Sequence, residues 1–215
     1  MGVLVEFQGA QLRFAEGAVR FPLELAPPPQ FDPVRPSTWP RVDGRLEFVD
    51  GRLLFMPPCG DDQQEVAVDV VFVLRSWARR RPAFVVGGNE AGMLLGGDAR
   101  AAEAAVWRRA DLGPNTGGFR RVAPLLAVEV AGRGETEAHL VHKSSWYLRH
   151  GVRAVWLVFP ESREVVVATS EALLRLRGTS RLPAVRGLPG LAPRASDFFE
   201  QLRAGRASPR RRSAH

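Results

Sequence analysis

Residues 125–159 read LLAVEVAGRGETEAHLVHKSSWYLRHGVRAVWLVF, and their pattern decides the fold. Leu125–Val130 is almost continuously apolar, interrupted only by Glu129, as expected of a central strand buried on both faces. A helix is expected from about Glu135 to His150. Gly151 suits the left-handed position that ends such a helix, and Val152–Phe159 supplies another central strand. Strands first, then helix, then strand implies a mixed α/β sheet with helices packed on it. A carboxylate inside an apolar strand loses its hydration, so Glu129 needs a cation or hydrogen-bond donors. Glu103, just ahead of the apolar Ala104–Trp107, and Lys143, on the helix after the Glu129 strand, are the candidates to approach it. Two converging acids can hold a divalent cation, and a nearby ammonium can stabilise charge at phosphorus or orient water. That is the minimum equipment of a metal-dependent phosphodiesterase; a buried Glu129–Lys143 ion pair with no further role is the alternative.

Working outward, Arg45–Met56 is a hairpin with Asp50-Gly51 as its two-residue turn, pairing Val49 with Arg52, Phe48 with Leu53, Leu46 with Phe55 and Glu47 with Leu54. Asp61 or Asp62 is expected to cap a helix reaching about Arg81, with Val70, Leu74 and Trp77 on its apolar face. Its valines leave a strand over Val66–Val73 as the alternative. Phe84–Val86, Ala91–Leu95 and Ala104–Trp107 read as short strands between glycine pairs, and Arg163–Thr169 as a strand folding back on its predecessor. A final helix is expected near Ala195–Leu202. Residues 1–26 alternate like a small β meander, and residues 27–41 form a connector with six prolines between Pro27 and Pro40. The expected main domain is therefore 42–202, followed by a basic, disordered tail over 203–215.

Of the 215 residues, 45% are hydrophobic and 25% charged, the balance of a globular domain. The longest apolar runs are too short to span a bilayer, and the N-terminus lacks the basic-then-apolar order of a signal peptide, so a cytoplasmic location without a membrane role is expected. Cys59 is the only cysteine, which excludes an internal disulfide and a cysteine-based zinc site. The formal charge of +7 falls to +2 without the five arginines of the tail, so the basic excess is mostly a terminal segment able to add non-specific phosphate affinity. His139 and His142 stand three apart on the expected helix, but no third ligand at a recognised spacing accompanies them. There is no nucleophile elbow, dinucleotide fingerprint or P-loop. Trp77, Trp107, Trp146 and Trp156 fall at apolar positions and are expected in the core.

Several stretches in common order carry a resemblance. They are Leu46-Glu47-Phe48-Val49-Asp50-Gly51, Met56-Pro57-Pro58, Ala102-Glu103-Ala104, Glu129-Val130-Ala131-Gly132, Lys143-Ser144-Ser145-Trp146-Tyr147, Gly151 through Val158 and Leu188-Pro189-Gly190-Leu191. In these the chain resembles, over about Gly44 to Leu202, the Uma-two family, a bacterial group of restriction-endonuclease-like proteins in the PD-(D/E)XK nuclease superfamily. The resemblance implies a restriction-endonuclease-like core in which Glu103 and Glu129 ligate Mg²⁺ or Mn²⁺. It also implies that Lys143 assists the attacking water or the transition-state charge, that Glu47 sits nearby, and that DNA is the substrate. The chain departs from the family pattern where Glu103 replaces Asp, Gln63 replaces His, Gly132 replaces Ser, and His139 and Phe159 each replace Asp. The expected function is a metal-dependent endonuclease hydrolysing DNA. The alternative is a degenerate member that binds nucleic acid or a protein without cleavage, and a homodimer with a second copy of the chain is a candidate assembly.

Overall fold

The structure, a computed structural model, describes residues 3–7, 10–14, 21–132 and 135–204. Strands β1 (Val3–Phe7) and β2 (Ala10–Phe14) pair as a separate two-stranded sheet. β3 (Leu23–Leu25) instead joins the edge of the main sheet, so the expected meander divides between two sheets. The proline-rich connector has one turn of 3₁₀-helix at Pro36–Thr38 and is packed down by its aromatics. Phe31 lies 4.9 Å from the Phe48 ring and Trp39 lies 5.4 Å from Phe119.

β4 (Arg45–Val49) and β5 (Arg52–Met56) form the expected hairpin in the expected register. Asp50 and Gly51 have φ of 49° and 77°, the left-handed values that a type I′ turn requires. The helical reading of the next segment holds, as α1 (Asp61–Ala78). Its N-cap is Gly60 rather than an aspartate; Asp61 and Asp62 lie in the first turn, where their charge favours the helix dipole. The two short strands expected at 84–95 are one, β6 (Phe84–Leu95), broken by an irregularity between Gly88 and Ala91. Its partner β7 (Asp98–Arg108) starts earlier than the apolar run, so Glu103 lies inside a strand instead of before one. β8 (Leu126–Val130), α2 (Glu137–Arg149) and β9 (Ala154–Phe159) follow, then β10 (Glu164–Ala168) and β11 (Leu173–Arg177). β11 was not expected, because its alternating leucines and arginines are mostly exposed and mark an edge. The C-terminal helix is a 3₁₀ segment, Ala195–Phe199, continuing into α3 (Glu200–Ala204). The expected disordered tail begins within α3, and residues 205–215 lie outside the described residues.

The main sheet runs β11-β10-β9-β8-β7-β4-β5-β3, with β6 also on β7. β8 and β9 are parallel across α2, and the other pairs are antiparallel. All five residues of β8 are buried because helices cover both faces. Val66, Val70 and Leu74 of α1 pack on the Val128, Trp156 and Val158 side, and Leu140 and Tyr147 of α2 pack on the Ala127, Val155 and Leu157 side. Trp77, Trp107, Trp146 and Trp156 are all buried, as expected. No helix among the described residues is long and apolar enough to cross a membrane.

Candidate active site

Residues 3.6 per turn apart share a helix face, so Lys143 and Tyr147, four apart on α2, both point down onto the sheet. The Lys143 ammonium donates to Glu129 Oε2 at 2.8 Å and lies 2.9 Å from Glu47 Oε1, while the Tyr147 hydroxyl donates to Glu129 Oε1 at 2.5 Å. Glu47 in turn accepts from Arg100 at 2.6 Å and from the Ala101 backbone N–H at 3.2 Å. Glu47, Glu129, Lys143 and Arg100 are each buried. Three of the four residues expected at the site, Glu47, Glu129 and Lys143, thus meet through a single ammonium.

Glu103 is held from another side. Glu103 precedes Ala104 and Glu129 follows Val128, which is Ala104's partner across β7 and β8, so the two acids come from neighbouring strands. Glu103 Oε1 accepts from Arg45 at 2.7 Å and from Gln63 Nε2 at 3.0 Å; the same amide group donates to the Val130 carbonyl at 3.0 Å. Glu103 Oε2 is buried and has no hydrogen-bond partner. A buried, bare carboxylate oxygen is costly unless something else occupies it.

These residues fit a hard divalent cation. Among the described residues no three Asp, Glu, His or Cys side chains form a group able to hold a metal, but Mg²⁺ is ordinarily bound by one or two carboxylates with water and substrate oxygens completing its shell. The bare oxygen of Glu103, with Glu129 on the neighbouring strand, suits that open arrangement. A cleft of about 700 Å³ is lined by Gly132, Glu135, Thr136 and Gln63, the residue whose amide donates to Glu103, but by none of Glu47, Glu103, Glu129 and Lys143.

The charges divide unequally. Burial drives the Glu47 carboxyl upward, but Lys143 and Arg100 outweigh it and hold Glu47 below the ordinary range. Burial dominates at Glu129 and raises its carboxyl above the ordinary range; Lys143 opposes the rise, and Glu103 and Glu47 add to it. Burial would lower the Lys143 ammonium, yet Glu129, Glu47 and Glu103 keep it above its ordinary value. Lys143 is therefore a fixed positive charge at neutral pH, not a proton acceptor.

Thr136 caps α2 by accepting from the His139 N–H, and beside it Glu135 Oε2 accepts from Gly132 N–H at 2.7 Å with His139 at 3.5 Å. Burial alone would raise Glu135, but His139 and the Gly132 N–H bring its carboxyl down to about 2. A depressed folded-state value contributes stability above the ordinary 4.5 and loses it as pH falls toward 2. Glu135→Gln is expected to cost on the order of 2 kcal/mol at pH 7 and nothing at pH 2, read as a urea midpoint that varies less with pH than in the wild type. His142 is exposed and His150 caps α2, so the histidines do not assemble into a metal site.

A family model described as "Putative restriction endonuclease", Uma2, matches residues 37–196, most of the chain. The chain belongs to the Uma2 family. Its fold is similar to that of a "putative nuclease belonging to DUF820" from Anabaena variabilis ATCC 29413, with a TM-score of 0.68 at 16% sequence identity over 77% of this chain and 96% of that one. No curated protein matches. Family and fold together support a nuclease-like protein. In this Uma2 member, sequence reasoning did not single out Arg45 or Arg100 as partners of the acids. Arg45 and Glu47 stand two apart on β4 and so share a face, a signal that was available. Arg100 pairs with Glu47 only through the β4–β7 contact, 53 residues away in sequence.

Proposed function

We propose that this chain is a metal-dependent endonuclease that hydrolyses DNA phosphodiester bonds in the cytoplasm. One observation carries the reading: a buried ammonium, Lys143, lies between Glu129 and Glu47, and Glu103, on the strand next to Glu129, keeps a bare, buried oxygen. Glu103 and Glu129 would hold Mg²⁺ or Mn²⁺, which when bound polarises a phosphoryl oxygen and acidifies water. Lys143, permanently charged, stabilises negative charge developing at phosphorus. Glu47 orients the ammonium and is itself fixed by Arg100 and the Ala101 N–H. Tyr147 holds Glu129 from the other side.

The test is incubation of the protein with plasmid and single-stranded DNA in Mg²⁺ or Mn²⁺, with a chelator as control. Cleavage that disappears with the chelator and returns on adding the ion is the expected result. Absence of cleavage with either ion on either substrate would overturn it.

One observation favours a second reading, binding without cleavage. Arg45, Arg100 and Lys143 already contact Glu103, Glu47 and Glu129, so the acids are neutralised by the chain itself. A protein of this kind would bind DNA with an affinity that falls steeply with salt, yet leave it intact.

A further inference from the structure

β6 and β7 pair regularly up to Gly88 opposite Ala104, and pairing resumes with Ala91 opposite Ala102. Asn89 and Glu90 stand together opposite the single residue Glu103, a bulge with one residue too many on β6. Both have left-handed backbone, φ 52° and 59°, which asparagine tolerates and glutamate seldom adopts. The bulge brings the Glu90 carboxylate to 3.7 Å from Arg45 Nε, while Arg45 donates to Glu103 Oε1 at 2.7 Å. One guanidinium thus lies between two acids of different setting: the Glu103 side chain is 5% exposed and that of Glu90 48%. Two buried polar atoms at this junction have no hydrogen bond, Glu103 Oε2 and Arg45 Nε. The first is an acceptor on the strand next to Glu129, and the second is a donor on the side of Glu90.

A divalent cation on Glu103 and a guanidinium on the same carboxylate repel each other at close range in a medium less polar than water. The arginine must yield for the cation to bind well. Glu90 is the second anion within its reach, and its half-exposed position lets a displaced guanidinium keep both a counter-ion and water. We propose that Arg45 competes with the divalent cation for Glu103 and that Glu90 is the alternative seat that takes Arg45 when the cation binds. The inference rests on the metal-site reading above. Glu90 and Arg45 are positioning residues that set how much Mg²⁺ or Mn²⁺ the site requires, and neither needs to touch the phosphate.

Calorimetric titration of the full chain with MnCl₂ tests this without reference to cleavage. Arg45→Gln leaves amide donors for Glu103 and removes the competing charge; it should bind Mn²⁺ about tenfold more tightly than the wild type. Glu90→Gln, at a half-exposed position, should bind it about tenfold more weakly, because Arg45 has no second partner. In the Arg45→Gln background the Glu90→Gln effect should shrink to less than about twofold, since no guanidinium remains to be reseated. If Arg45→Gln fails to fold, the Glu90→Gln result alone decides, and an unchanged affinity overturns the proposal. Wild-type binding that is not tightened by Arg45→Gln, or a Glu90→Gln loss that persists undiminished in the double variant, also overturns it and leaves the metal site standing. Absence of Mn²⁺ uptake by the wild type and by Arg45→Gln alike overturns the metal-site reading and this proposal with it. Uptake by Arg45→Gln alone supports the competition and assigns the native chain to the non-cleaving class.

Discussion

Lys143→Met is expected to abolish DNA cleavage and to lower stability by about 3–5 kcal/mol, the usual result of breaking a buried ion pair by removing one partner. The two effects have separate causes. Cleavage would be lost because the positive charge proposed to face the phosphate is gone. Stability is lost because the ammonium serves two carboxylates, Glu129 at 2.8 Å and Glu47 at 2.9 Å. They do not suffer equally: Glu47 keeps Arg100 and the Ala101 N–H, whereas Glu129 keeps only the Tyr147 hydroxyl. Adding Glu129→Gln to Lys143→Met should therefore recover most of the urea midpoint, since no stranded anion remains at that position, and should not recover cleavage. A single variant as stable as the wild type would show that Glu129 is protonated and needs no ammonium. A double variant that cuts DNA would remove both residues from the chemistry.

Glu103→Gln is expected to reduce cleavage on the order of 10³-fold, the several kcal/mol of transition-state stabilisation that a bound metal supplies. It should also abolish measurable Mn²⁺ uptake. The fold should survive, because a glutamine oxygen still accepts from Gln63 and Arg45, and Arg45 retains Glu90. Circular dichroism alongside the cleavage assay checks this. Wild-type rates from a well-folded Glu103→Gln protein would show that the bare oxygen of Glu103 has no part in the reaction.

Much of the fold was legible because its signals are local. The apolar run at 125–130, the helix of 3.6-residue period and the glycine at 151 lie within one continuous stretch, and the Asp50-Gly51 turn sets the β4–β5 register to the residue. Strand order was not legible in the same way. β3 joins the sheet by pairing with β5 across the proline-rich connector, and β11 forms an edge from residues too polar to announce a strand. Both depend on which sheet edge is available, and that is known only when the other strands are in place.

The site divides along the same line. The sequence by itself determined that Glu129, an acid in a buried strand, must have a partner, and that Lys143, on the helix that follows it, is a candidate to supply one; hydration cost suffices for that. Only the tertiary structure decided which cations meet which acids. Arg100 reaches Glu47 across 53 residues of sequence and Arg45 reaches Glu103 across 58, contacts created by how β4 lies against β7. The bulge that presents Glu90 likewise exists only because β6 carries one residue more than β7 between the flanking pairs, with Asn89 and Glu90 opposite Glu103 alone. An ion pair is specified by distance in space, and distance between residues on separate strands is a property of the assembled sheet.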